Sequence, residues 1–348
     1  MKKVWKIVKG IFITIVAAVI LLMAVRLING QLTKGKEKIK ESTLAANSLY
    51  REIDQAEPEK SNLSGVTISV VKGNYLNGYH LRPERVMHKG TVITFGGSEG
   101  GSNITMAARL AKEGYEVYSL YFFGRDNQQK ELFKVPLDFF AEAYAEIEKS
   151  AAAARPLTIL GASKGAELCL LLAGKYPELV DNVVLYAPSA YVFPGLSRDY
   201  SNSGSSWSFQ GEELPYLPFT AAKGGTYGKF MLRMLLNAPI EYEPIYRSMM
   251  ENAENREAAR IDVSRAKANL LIFAGKEDKM WPSADMAEEI VKNYPAEKKL
   301  VIYEKAGHIF FGPSVLSNMS VGGEYEANEA AKADSDQILL ETLDKWMR

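Results

Sequence analysis

The chain has 348 residues, 47% apolar and 24% charged, proportions of an ordinary globular enzyme and not of a disordered or fibrous chain. Lysine plus arginine and aspartate plus glutamate balance at 42 each, so no global field argues for nucleic acid. A single cysteine, Cys169, excludes an intrachain disulfide, a cysteine-rich metal site and a lipoprotein cysteine, and its apolar helical setting reads as a small buried hydrophobe.

The first expected element is a membrane anchor over residues 1–30. Lys2, Lys3, Lys6 and Lys9 precede an apolar run from Ile11 to Val25 broken only by Thr14, and Arg26 interrupts it before Leu27 and Ile28. That length lies between a signal-peptide core and the roughly 20 residues of a full span. No small-x-small cleavage site follows in Leu22–Asn29, which favours an uncleaved single-pass anchor over a cleaved signal peptide. The leading lysines pull the N-terminus inside while Arg26, Lys34, Lys36, Lys38 and Lys40 compete; the expected outcome is a cell-membrane protein with its domain outside the cytoplasm. Residues 31–64, with Glu37, Glu41, Glu52, Glu57 and Glu59 among lysines, read as a charged helical stalk lifting the domain off the bilayer, or as a linker.

From residue 65 to 348 the pattern is that of one α/β domain. Thr67–Val71 alternates and Tyr75–Pro83 reads as the second arm of a hairpin. Strands are then expected at Thr91–Phe95, Glu116–Tyr121, Leu157–Leu160, Val180–Tyr186, Asn269–Phe273 and Lys299–Tyr303. Helices are expected at Ile104–Glu113, Pro136–Ala152, Lys164–Lys175, Ser283–Asn293 and Asn328–Met347. This alternation predicts an α/β domain with a mostly parallel central sheet and helices on both faces. Residues 189–265 break it. They carry Tyr191, Tyr200, Trp207, Phe209, Tyr216, Phe219, Tyr227, Phe230, Tyr242 and Tyr246, and read as a lid-like insertion shaping an apolar acyl pocket.

The chemistry centres on Gly161-Ala-Ser-Lys-Gly165, between an apolar strand and an Ala/Leu-rich helix. A serine between two glycines at that junction is a nucleophile elbow, which makes Ser163 the candidate nucleophile. Its base is normally a histidine, and the chain has three. His80 lies in the hairpin and His88 in a basic turn, both expected at surface or edge positions. His308, just past the last strand, is the candidate base. Asp278, after the strand and turn Leu270–Gly275, is the candidate acid, with Glu277 the runner-up. Lys164 N–H is the first candidate oxyanion donor, and the glycine loop Gly96-Gly-Ser-Glu-Gly-Gly101 supplies the second. Ser98 is preferred there, then Glu99 or Gly97. Gly96, Gly97 and Trp281 are candidate substrate-binding residues. The loop matches neither phosphate-binding glycine pattern, and no metal motif exists, so no metal and no cofactor are expected.

Gly161-Ala-Ser-Lys-Gly-Ala-Glu-Leu-Cys-Leu170 resembles the elbow of the acyl-CoA thioesterase/bile acid-CoA:amino acid N-acyltransferase C-terminal domain family, within the dienelactone-hydrolase-like α/β-hydrolases. Phe95–Gly101, Gly275–Trp281, Gly307-His308 and Gly322-Gly-Glu324 before a final helix support it, over residues 65–348. The resemblance implies a Ser163, Asp278, His308 triad and hydrolysis or transfer of an acyl thioester, with serine in place of cysteine favouring hydrolysis. Family members usually carry an N-terminal β-sandwich domain, for which residues 1–65 are too short and polar, and are generally soluble. With the domain outside the cytoplasm, the expected substrate shifts from acyl-CoA towards a lipid, peptidoglycan-linked or exogenous ester. Partners are therefore an acyl ester or thioester and the membrane, with no nucleic acid. An acyltransferase, a peptidase and an inactive binding protein of the same fold are the competing readings.

Overall fold

The computed structural model describes every residue except Met1, 47–52, 54–55, 198 and 200–202, so Glu52 and Tyr200 lie outside the described residues. Helix α1 (Lys2–Lys36) continues through the expected end of the anchor at residue 30. It contains a window of mean hydropathy 2.9, none of it buried, and is long and apolar enough to cross a membrane. A short helix α2 (Glu41–Ala46) follows. The charged segment lies along the domain over its described residues instead of standing clear of it. Glu37 accepts from Asn318 N–H at 2.7 Å, Lys40 N–H donates to Tyr325 Oη at 2.8 Å, and the Thr43 and Tyr325 hydroxyls meet at 2.7 Å.

The centre of the sheet is built where apolar residues predominate without strict alternation. Strands β1 (Val66–Lys72) and β2 (Asn77–Pro83) form the expected hairpin. Strand β3 (Thr91–Phe95), helix α3 (Ile104–Lys112) and strand β4 (Glu116–Leu120) follow, and both strands are buried at every position. A strand covered on both faces needs no polar side, which is why these read as continuous runs. The chain continues through β5 (Val135–Pro136), α4 (Phe139–Ser150), β6 (Leu157–Ala162), α5 (Lys164–Lys175) and β7 (Asn182–Tyr186). An insertion then carries β8 (Trp207–Phe209), β9 (Glu212–Glu213), α6 (Gly224–Leu235), α7 (Glu243–Asn252) and α8 (Arg256–Ala259). The remainder is β10 (Asn269–Gly275), α9 (Ser283–Asn293), β11 (Lys298–Tyr303), β12 (Val315–Leu316), β13 (Met319–Ser320) and α10 (Tyr325–Trp346).

Among the described residues, eight strands form one sheet in the order β1-β2-β4-β3-β6-β7-β10-β11. The first two are antiparallel additions, and the rest run parallel. Alternate side chains divide the core in two. Ile93, Phe95, Leu270 and Ile272 face α4, α5 and α9, while Val92, Leu271 and Phe273 face α3 and α10. Helix α4 starts three residues later than expected because Pro136 pairs with Ser208 in a small separate sheet. Helix α10 starts earlier, leaving Asn328 to tie three loops: its Oδ1 accepts from Gly307 N–H, and its Nδ2 donates to the Gly312 and Gly322 carbonyls.

His80 departs from the surface or edge position expected of it, since β1 covers β2 on that side of the sheet. It is buried in β2, stacked on Tyr118 at 4.3 Å, with Nε2 2.8 Å from Glu116. Burial alone would raise the Glu116 pKa. His80, the Ala152 N–H at 2.8 Å and Arg82 outweigh it and hold the carboxyl below its usual range. A depressed folded-state pKa adds stability above the unfolded value of about 4.3, and that stability is lost as pH falls through the folded value. Glu116→Gln should therefore cost about 1–3 kcal/mol in denaturant unfolding at neutral pH. The deficit should shrink below about pH 4; a deficit independent of pH would contradict the charged pairing.

Candidate active site

Strand β6 delivers the chain to Ser163 at φ 54°, ψ −119°, a backbone conformation rare for a residue with a side chain. Such a residue costs about 1–3 kcal/mol and persists only where its surroundings over-determine it. Here they do. A Cβ on Gly161 would lie 2.1 Å from the Gly165 carbonyl oxygen, and one on Gly165 would lie 1.9 Å from that of Gly96. Ser163 N–H donates to Tyr186 O at 2.9 Å, and Ser163 O accepts from Ala166 and Glu167 N–H. The turn lifts the serine to the C-terminal edge of the parallel strands, at the start of α5. The Lys164 N–H belongs to the first helical turn, whose donors have no partner within the helix.

The acid and base come from the loops after β10 and β11. Asp278 is buried, and its Oδ1 accepts from the N–H groups of Met280 at 2.8 Å and Trp281 at 3.2 Å. Its Oδ2 lies 2.8 Å from His308 Nδ1. Glu277 turns instead to Lys279, at 3.2 Å. The two loops are pinned by close backbone approach: a Cβ on Gly275 would meet Ala306 O at 2.3 Å, and one on Gly322 would meet Glu277 O at 1.8 Å. His308 N–H donates to Val321 O at 2.7 Å, and the imidazole packs edge-on against Trp281 at 5.6 Å.

A cavity of about 160 Å³ joins these groups. Ser98, Ser163, Lys164, Trp281 and His308 line it, together with Leu196, Tyr242, Tyr246, Met280 and Met319. Of the candidate substrate residues, Trp281 is in the lining. Gly97 lies beside the serine, where an added Cβ would be 3.3 Å from Ser163 Cβ, whereas Gly96 forms the seat for Gly165. In the glycine loop the Glu99 carboxylate folds back onto the Gly97 N–H at 2.8 and 3.0 Å. That donor is occupied. His88 stays remote, stacked on Tyr115, and Cys169 is buried, with desolvation pushing its thiol well up.

A fully buried ion pair lies directly behind the serine. Lys164 Nζ is 2.9 Å from Glu167 Oε2 and donates to Ser206 Oγ at 2.8 Å. Glu167 Oε1 accepts from Trp207 Nε1 at 2.7 Å and Phe193 N–H at 3.1 Å. Burial pushes the lysine pKa down and the glutamate pKa up, and each partner opposes the shift of the other. Ser206, Trp207 and Phe193 all belong to the insertion, so the pair fastens it to the elbow. Lys164→Met should cost about 3–5 kcal/mol by leaving a buried carboxylate unpaired. Lys164→Met with Glu167→Gln should recover most of that loss in denaturant unfolding, because the amide oxygen still serves Trp207 and Phe193. A double variant as unstable as the single one would refute the assignment.

The sheet order, the strained serine turn after β6 and the carboxylate–histidine pair on the loops after β10 and β11 are those of the α/β-hydrolase fold. In its fold the chain is similar to an acylaminoacyl peptidase from Pyrococcus horikoshii, with TM-score 0.50 at 15% identity over 82% of this chain and 42% of that one. Residues 135–345 match the family model for the BAAT/acyl-CoA thioester hydrolase C terminal, and the chain belongs to that family. It is 25% identical to human acyl-coenzyme A thioesterase 1 over 288 residues, 78% of this chain and 63% of that protein. It is also 25% identical to human mitochondrial acyl-coenzyme A thioesterase 2 over 271 residues, 73% of this chain and 52% of that one. The chain thus spans between about half and two thirds of the length of these relatives.

Proposed function

We propose that the chain is a membrane-anchored serine hydrolase cleaving an acyl ester or thioester through Ser163, Asp278 and His308. The observation that carries this reading is the 2.8 Å Asp278–His308 pair opening onto the same cavity as a serine on a strained elbow. A carboxylate on Nδ1 leaves Nε2 of the imidazole to act as base. Ser163 Oγ attacks the acyl carbonyl carbon while His308 takes its proton, and the tetrahedral oxyanion meets the N–H groups of Lys164 and Ser98. Collapse breaks the bond to the leaving sulfur or oxygen, which receives the proton from His308 and departs, leaving acyl-Ser163. Water then attacks with His308 again as base, releasing the acid and restoring the serine. Ser98 is favoured over Gly97 as second donor because the Gly97 N–H is already bonded to Glu99. Leu196, Tyr242 and Tyr246, all from the insertion, support its role as a lid with an apolar wall.

The wild type should react with a fluorophosphonate probe and Ser163→Ala should not. Turnover of a short acyl ester should fall about 10⁴–10⁶-fold in Ser163→Ala or His308→Ala. Retained turnover in either variant would refute the triad.

The anchor is assigned to α1, with the hydrolase domain on the extracytoplasmic side of the cell membrane. The substrate is then a lipid or other ester of that compartment and not cytosolic acyl-CoA. A topology reporter fused after residue 60 should be active only outside the cytoplasm; cytoplasmic activity would reverse the orientation and make acyl-CoA the leading substrate.

A further inference from the structure

Helix α6 has no buried residue. One side of it packs on the insertion: Tyr227 Oη donates to Phe219 O at 2.6 Å, and the Phe230 ring meets Tyr242 at 5.6 Å. At 3.6 residues per turn, Met231, Leu235, Gly228 and Leu232 share the face that adjoins this side and turns away from Phe230. Met231 is 60% exposed, Leu232 53% and Leu235 51%. Single exposed apolar residues are common on soluble surfaces, but a continuous apolar stripe along a helix marks an interaction site.

What covers the stripe follows from where α6 ends. The Arg26 guanidinium donates to the carbonyl oxygens of Met234 and Leu235. Asn29 Nδ2 donates to Leu236 O at 2.8 Å, and Asn237 Nδ2 returns a bond to Arg26 O at 3.3 Å. Arg26 and Asn29 stand where the apolar run of α1 stops. The C-terminal end of α6 is therefore fixed at the level where the candidate span leaves the hydrocarbon. Exposed Lys229 flanks the stripe, and Lys34 and Lys36 occupy the last turn of α1. Cations beside an apolar helical face suit a surface of anionic headgroups.

We propose that α6 is an interfacial helix, its Met231, Leu232 and Leu235 face seated in the headgroup–acyl boundary of the bilayer that α1 spans, so that the cavity takes its acyl substrate from the membrane. Tyr242 links the two, lining the cavity on one side and packing on Phe230 of α6 on the other. At about 160 Å³ the cavity is smaller than the roughly 300–1,000 Å³ that enclose a drug-sized ligand. The rest of a lipid would remain outside, beside this apolar face. The seating of α6 rests on α1 as the span, and the delivery of substrate rests on the hydrolase reading above.

Cys169 is buried, so an introduced cysteine can be labelled selectively in the full-length chain. With the protein in phosphatidylcholine–phosphatidylglycerol vesicles, an NBD label on Met231→Cys or Leu232→Cys should shift to the blue and be quenched by shallow doxyl lipids. A label on Glu341→Cys, near the far end of α10, should not. Labels at 231 and 341 that are equally unquenched would overturn the docking, as would shielding at 231 that grows with protein concentration in detergent, the behaviour of a face covered by a second copy. Met231→Glu with Leu235→Glu should lower turnover of a vesicle-embedded acyl lipid, relative to a short soluble ester, by about tenfold or more as interfacial seating is lost. An unchanged ratio would overturn the delivery of substrate from the membrane. Quenched labels at 231 and 232 together with a wild type that turns over neither ester would sink the hydrolase reading and leave the interfacial helix standing.

Discussion

The approach of Gly165 to the Gly96 carbonyl, too close for any β-carbon, joins the two loops on which the rest of the site is arranged. One is the turn that carries Ser163; the other is the glycine loop that brings Ser98 to the cavity. Interiors packed at crystal density transmit such a constraint instead of absorbing it. Gly275 and Gly322 repeat the device for the acid and base loops. The geometry is thus set by backbone packed on backbone, and the side chains need little freedom of their own to meet.

The Lys164–Glu167 pair extends this frame outward. It carries the register of the elbow into the insertion through Ser206, Trp207 and Phe193. A buried ion pair is weak evidence for stability, because desolvation offsets much of its attraction. Its value here is directional: five polar groups must meet in one arrangement, which gives the insertion a defined seat. The far end of that insertion meets α1 through Arg26 and Asn29. The serine turn, the insertion and the apolar N-terminal helix are therefore linked through a continuous set of contacts.

Much of this was legible from sequence because the signals were local. Burial on both faces makes β3, β4 and β6 largely apolar, and the paired glycines around Ser163 have a steric cause visible in five residues. Only one of the three histidines sits just past the last strand of the central sheet, and it is the one that meets an acid beside the cavity. What was not legible depended on long-range partners. Nothing in His80 or Glu116 announces that they meet in the core, 36 positions apart. Leu196 and Met319 are ordinary apolar residues until folding brings them to the cavity. Among the described insertion aromatics, Tyr191 and Trp207 are fully buried in the core, while Tyr242 and Tyr246 line the cavity. The charged composition of residues 31–46 indicated solvent, yet Lys40 and Thr43 find Tyr325 across the chain.

The left-handed backbone of Ser163 also has an evolutionary consequence. Glycine is the residue that accepts such a conformation without penalty, so the most comfortable occupant of this position is one without a hydroxyl. Pressure for thermal robustness alone would favour its loss, so a serine at this position is consistent with a use for its hydroxyl. Homologues that have abandoned catalysis are therefore expected to drift first at this position and only later in the surrounding glycines, which the packing still requires whether or not any bond is broken.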